Sequence, residues 1–346
     1  MKRYLGIDMH RESCTVVVLS AGGKETDQRV VPTEAAALVQ YVRSLSGELH
    51  ICVEEGEWSE WLVELLSPRV HRVVSCTAPG RRGPRSDAKD ARELAERLRT
   101  RQTGPPVYKP LAAQWGRLRE AVRLESKLLG DEVRAKQRLK SLYRRRGVAC
   151  VNAEVYSPRL RGEWEKKLPP SLRPSAELLG QELDQLAELQ HIAEQQMCDA
   201  AGKFPMWRKL QTVPGIGQKR AAQLLAIVVT PHRFRTKRRF WSYCGLGVVT
   251  RSTSDWVRQA DGQMLRVPVI QTRGLNKASN RQLKGIFVGA ARTALSCRPP
   301  NPLLEAYERI VESGTKPNLA RLTIARKIAA VVLAMWKTES EYRIMN

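Results

Sequence analysis

The chain has 346 residues, 42% of them hydrophobic, and a formal net charge of +24. That length fits two or three domains and that apolar content fits real cores, which excludes a disordered basic protein. The best apolar runs, residues 224–229 and 329–335, fall far short of the ~20 residues of a membrane span, so no membrane role is expected.

The charge is uneven. Residues 1–100 carry 15 basic and 15 acidic side chains, whereas residues 201–346 carry 26 and 7. A large polyanion is therefore the expected partner of the C-terminal part. Seven scattered cysteines without a CxxC pair, five widely spaced histidines and an early charged start at Lys2-Arg3 argue against zinc fingers, a disulfide framework and a secretory signal, and fit a reducing cytoplasm.

In chain order, apolar or β-branched runs at 4–7, 15–20 and 28–31 predict three strands, the first pair hairpin-like. Pro32-Thr33-Glu34 opens a predicted helix, with Thr33 as its N-cap and Leu38, Val39, Val42 and Leu45 at helical spacing. A strand at 50–53, a helix at 58–66 and a strand at 70–76 follow. Ser86 then caps a helix to Leu98 whose buried stripe is Ala91, Leu94, Ala95 and Leu98. The order βββαβαβα is that of an RNase H-like core.

This reading makes four carboxylates converge. Asp8 ends the first strand, Glu54 directly follows the fourth, and Asp87 and Asp90 share one face of the helix entered at Ser86. Read singly, each is an ordinary loop acid or a first-turn acid complementing a helix dipole. Together they repel unless cations lie between them, and oxygen-only ligation suits Mg²⁺ or Mn²⁺, which can serve both oxygens of a phosphodiester under attack. Glu55 and Glu57 are neighbours of lesser promise. An actin-like ATPase reading of Gly6-Ile7-Asp8 fails because Met9-His10-Arg11 follow in place of small residues.

Residues 112–146 lack proline and predict a long helix, with Leu118, Val122, Leu129 and Val133 as its apolar stripe. Residues 147–174 are irregular. Residues 175–197 resume a helix on which Leu179, Leu183, Leu186, Ala193 and Met197 fit a heptad seam. The pair predicts either a coiled coil or a helical hairpin packed on its own domain. The run Arg134, Lys136, Arg138, Lys140, Arg144, Arg145 and Arg146 suits a nucleic-acid backbone.

Leu210 to Ala221 reads helix, Gly215-x-Gly217 turn, helix, a helix-hairpin-helix. Its glycines would let backbone N–H groups approach a phosphate, and Lys219 and Arg220 add charge; the alternative is a tight turn used for packing. Arg235, Lys237, Arg238 and Arg239 then interleave with Phe234 and Phe240, which are either stacking platforms or core. The block from Cys244 ends at Arg251-Ser252-Thr253-Ser254, hydroxyls beside an arginine. Such a serine can attack phosphorus if a base or metal activates it, although hydroxyl clusters are more commonly turns.

Taken together, Asp8, Glu54, the Ser86-Asp87-Ala88-Lys89-Asp90 segment, the helical spacer, Pro214-Gly215-Ile216-Gly217 and Tyr243-Cys244-Gly245-Leu246 resemble the DEDD transposases of bacterial insertion sequences, the insertion sequence 110 family, with Piv-type invertases as relatives. The resemblance implies an α/β RNase H-like (RuvC-like) N-terminal domain at 1–105 with Mg²⁺ on Asp8, Glu54, Asp87 and Asp90. It implies a coiled-coil spacer at 106–200 and a mainly α, basic transposase domain at 201–346 with the helix-hairpin-helix and a serine that forms a phosphoserine link with DNA. The family's nucleophile falls near Thr253, which leaves Ser252 first and Ser254 second; Val248 replaces the proline usual two residues after Gly-Leu. It further implies donor and target DNA, a structured bridge RNA, and homodimers or tetramers. The rival readings are a metal-only Holliday-junction nuclease and a non-catalytic nucleic-acid scaffold.

Overall fold

A computed structural model describes residues 1–76, 86–103, 113–253, 256–259, 263–266, 270–297 and 301–342, without the side chains of 251–253, 257–258, 266 and 270–273. The chain divides into two compact units, Met1–Ala112 and Ala113–Asn346, against the three that the resemblance implies.

The first unit holds β1 (Lys2–Met9), β2 (Ser13–Ser20), β3 (Glu25–Pro32), α1 (Ala35–Ser44), β4 (Glu48–Glu54), α2 (Ser59–Leu66), β5 (Arg72–Cys76) and α3 (Asp87–Arg99). One mixed sheet runs β3-β2-β1-β4-β5. β1 is antiparallel to β2 and parallel to β4, and β5 is parallel to β4. This order and these directions fit an RNase H-like core. β2 reads as an unbroken apolar run, Val16-Val17-Val18-Leu19, because it is covered on both faces. On one face Leu5, Ile7, Ile51 and Val53 pack with Leu38, Val42, Leu62 and Leu66 of α1 and α2. On the other, Cys52, Val74 and Cys76 meet Leu94 and Leu98 of α3, while Val17 and Leu19 meet its Ala91 and Ala95. β3, at one edge, is mostly exposed and carries Glu25, Asp27 and Arg29, which discourages further strand pairing.

Thr33 does not cap α1. Its hydroxyl donates to the His10 carbonyl (2.9 Å), and Glu34 occupies the cap position with no side-chain hydrogen bond. The hydroxyl serves the long-range contact that closes the β1–β2 turn against the α1 entry. Ser86 does cap α3, its Oγ accepting from the Lys89 N–H.

The second unit begins with α4 (Ala113–Arg144). Short turns and α5 (Arg161–Glu165) lead to α6 (Arg173–Gly202). Then come α7 (Pro205–Gln211), α8 (Gln218–Val228), α9 (Lys237–Tyr243), β6 (Val248–Thr253), β7 (Trp256–Arg258), β8 (Met264–Arg266), β9 (Ile270–Leu275), α10 (Arg281–Ser296), α11 (Pro302–Glu312) and α12 (Pro317–Thr338). The two long helices pair within the chain as an antiparallel hairpin. Leu118 and Val122 of α4 join Met197 and Ala201 of α6 in the core built on α7–α12, while Ala135, Leu139 and Tyr143 meet Ala176 and Leu183 at the far end. Leu129 and Val133, expected on the buried stripe, lie 42% and 45% exposed. Glu125 occupies a buried place in their stead.

α12 runs through the main core, burying Ile324, Ala325, Ile328, Ala329 and Val332. The expectation of a mainly α unit holds with one addition: β6 pairs antiparallel with β9 and β7 with β8.

Candidate functional site

In the parallel pairing of β1 with β4, Ile7 lies opposite Val53. The next residues, Asp8 and Glu54, are thus neighbours at the C-terminal ends of adjacent strands, about 5 Å apart in backbone. Since Ile7 and Val53 face the α1–α2 core, strict alternation turns Asp8 and Glu54 toward α3. Both line one crevice with Glu55, Glu57 and Trp58.

Gly6 brings α3 onto this end of the sheet. A Cβ there would lie 1.8 Å from the Ala91 carbonyl oxygen and 2.6 Å from the Ala95 nitrogen, so only glycine admits the helix backbone so close. The first turn of α3 then carries Asp87 and Asp90 to the end of β1. His10 Nε2 bridges Asp8 Oδ2 and Asp87 Oδ1, at 3.3 Å each. Burial raises the Asp8 carboxyl above its ordinary value; His10 opposes this, and the charges of Asp90 and then Asp87 add to it.

The four acids thus approach one region in different ways. Asp8 reaches Asp87 through His10, Asp90 is near enough to bias Asp8, and Glu54 shares its crevice. Glu55 is taken up elsewhere, since its Oε2 accepts from Ser75 Oγ (2.5 Å) and Ser59 Oγ (3.3 Å). The clustered carboxylate oxygens of Asp8 and Asp87 fit a hard divalent cation. His10 is a site residue that the sequence did not single out. Its one signal was spacing, two residues after Asp8 and hence on the same side of an extended chain.

Ser252 lies in β6, its backbone opposite Gln271 of β9. Its side chain and that of Arg251 lie outside the described residues, as does all of Ser254.

The hairpin between α7 and α8 is built differently from expectation. Gly215 has φ +84° and its missing Cβ would meet the Ala290 carbonyl at 2.1 Å, so its freedom serves close packing on α10. Gly217 precedes α8 with open space around it. Arg220 donates to the Gly215 carbonyl (2.6 Å) and to Thr293 Oγ1 (3.0 Å). Lys219 pairs with Glu194 at 2.8 Å and lies 3.8 Å from buried Glu125. Both cations expected to meet phosphate have partners within the chain, although Lys219 stays 40% exposed. Phe234 and Phe240 are core residues rather than stacking platforms. By contrast Arg235, Lys237, Arg238 and Arg239 are exposed, with no ion pair among the described residues. Arg144, Arg145 and Arg146 are likewise exposed at the far tip of the α4–α6 hairpin.

Compared with known families, residues 5–145 match a model described as a transposase, the DEDD transposase of the IS110 group, and residues 207–266 match the Transposase IS116/IS110/IS902 family. No curated protein matches the chain. Among the described residues, no helix is long and apolar enough to cross a membrane.

Proposed function

The chain belongs to the IS110 family of DEDD transposases, enzymes of DNA transposition, and from that membership we propose that it cuts and rejoins DNA by metal-assisted attack of one of its own serines. The observation that carries this reading is the convergence of Asp8, Glu54 and Asp87 at the ends of β1 and β4.

Asp8, Glu54, Asp87 and Asp90 would hold Mg²⁺, or Mn²⁺, which when bound supplies positive charge to the oxygens of the reacting phosphodiester. Ser252, with Ser254 as the second candidate, supplies the attacking hydroxyl. Its Oγ–P bond forms as the bond from phosphorus to the strand oxygen breaks, and the freed strand end carries the leaving oxygen, which takes up one proton for the one the serine gives up. The phosphoserine link keeps the bond energy, so a new strand hydroxyl can reverse the step without ATP. Arg251 adds charge beside the serine. The exposed set Arg235, Lys237, Arg238 and Arg239, with Arg144–Arg146 at the hairpin tip, neutralises nucleic-acid backbone. Its partners on this reading are donor DNA, target DNA and a structured bridge RNA, engaged by a homodimer or tetramer.

Trapping tests the chemistry. Protein incubated with Mg²⁺, DNA bearing the element's ends and RNA transcribed from the sequence beside its gene is expected to give a protein–DNA adduct on denaturing gels. Ser252→Ala or Ser254→Ala should abolish the adduct. Cleaved DNA with no adduct would instead assign the chain to metal-only nuclease chemistry.

A further inference from the structure

We propose that Glu48, His50 and His71 form a second metal site, suited to Zn²⁺, at the opposite end of β4 from the acid cluster. Glu48 opens β4 and His50 follows two residues later, so both side chains share one face of the strand. His71 immediately precedes β5, and its backbone N–H donates to the Leu49 carbonyl at 3.0 Å, which pins it beside them. His50 Nε2 lies 3.1 Å and His71 Nε2 3.2 Å from the same atom, Glu48 Oε1. One ligand atom from each of the three side chains falls within 4.8 Å of the others.

Ligand atoms about 2.0–2.1 Å from a tetrahedral ion stand roughly 3.3 Å apart, close to both contacts. Two imidazoles and one carboxylate are a borderline donor set that favours Zn²⁺ and suits Mg²⁺ poorly. The Tyr4 ring stacks on His50, centroids 5.3 Å apart and planes 23° from parallel, and so fixes the plane of that imidazole. The competing occupant is Lys2, whose Nζ stands 3.8 Å from Glu48 Oε1. Its side chain is 55% exposed on a flexible stem and can turn to water, whereas His50 sits on paired strand and the His71 backbone is hydrogen-bonded to Leu49. Six residue steps along the strand separate Glu48 from Glu54, about 20 Å, so the two sites do not share an ion. The bound ion would tie the start of β5, an edge strand, to its neighbour β4. Three protein ligands leave a fourth position for water or a partner's side chain.

The test uses the full chain carrying Asp8→Asn, which disables the other histidine-containing cluster, stripped with chelator and titrated with Zn²⁺ in excess Mg²⁺. One Zn²⁺ per chain is expected, together with the intense visible absorption of tetrahedral Co²⁺ when Co²⁺ replaces it. His71→Ala is expected to weaken uptake about 100-fold, at least the loss seen when even an outer-shell partner of a metal is removed. Because His71 is 59% exposed, that variant should keep its far-ultraviolet spectrum. Glu48→Gln provides a second variant that removes the shared carboxylate. Absence of uptake, or uptake that His71→Ala and Glu48→Gln leave unchanged, would overturn the site.

Discussion

Asp8 is only 14% exposed and shares its end of the sheet with Asp87 and Asp90. Its folded-state pKa is raised, by burial first and then, against His10, by the two aspartates. An acid whose pKa rises on folding binds its proton more tightly in the native state, so the ionised form opposes folding. That penalty is present at neutral pH and disappears as pH falls below the ordinary aspartate range. Asp8→Asn is therefore expected to raise the melting temperature of the chelated protein at pH 7 by about 1–3 °C, to lose that advantage near pH 3.5, and to abolish strand cleavage. Calorimetry across pH with a parallel cleavage assay checks both halves. Gly6 offers a second residue-scale outcome. Gly6→Ala must push α3 off the sheet, at a cost of about 3 kcal/mol by denaturant melts, with cleavage abolished because Asp87 and Asp90 move with the helix. Asp8 and Glu54 were legible in the sequence because each ends a strong apolar run. His10 was not, since its one signal, the two-residue spacing from Asp8, falls beyond the apolar run that marks the strand. Thr33 misled because a hydroxyl before a helix can equally serve a distant carbonyl, here that of His10.

At the scale of elements, the chain order of the strands and helices of the first unit and the buried stripe of α3 followed from apolar runs and capping. The long helices were legible as helices, and Leu118 and Val122 of α4 and Leu183, Ala193 and Met197 of α6 are buried as expected, but the middle of α4 was not legible. Helical spacing picks apolar residues, whereas packing of α4 buried Glu125 and left Leu129 and Val133 outside. Glu125 is 1% exposed and its Oε2 has no hydrogen-bond partner among the described residues, so the nearby Lys219 charge matters to the joint between the hairpin and α8. Lys219→Ala is expected to destabilise the fold by about 1–3 kcal/mol, and adding Glu125→Gln should recover part of that; a double-mutant cycle of urea melts measures it. The strands from β6 to β9 were missed because, among their described side chains, no alternation of buried and exposed residues marks them. Val248, Val249, Trp256, Met264 and Leu265 are all exposed large apolar residues. A Gly-x-Gly turn suits a phosphate or a packed backbone alike, and at Gly215 the close neighbour is the backbone of α10.

For the whole molecule, the division of charge was legible from composition alone. A neutral first hundred residues carries the acids, and residues 201–346 carry 26 basic against 7 acidic side chains. If the exposed cations after α8 meet phosphate, replacing Arg235, Lys237, Arg238 and Arg239 with alanine is expected to weaken DNA binding uniformly across sequences. It should also flatten the salt dependence of log K by about 0.9 for each phosphate no longer neutralised. An unchanged slope in fluorescence anisotropy titrations would move the interface elsewhere.

Acids far apart in the chain must share one cation for this chemistry to run, and anomalous diffraction from Mn²⁺-soaked crystals observes that sharing without recourse to activity. A peak ligated by Asp8 and Glu54 together, with Asp87 or Asp90 beside it, is the expected result. A peak held by Glu54 and Glu57 alone, or no peak within reach of Asp8, would contradict it.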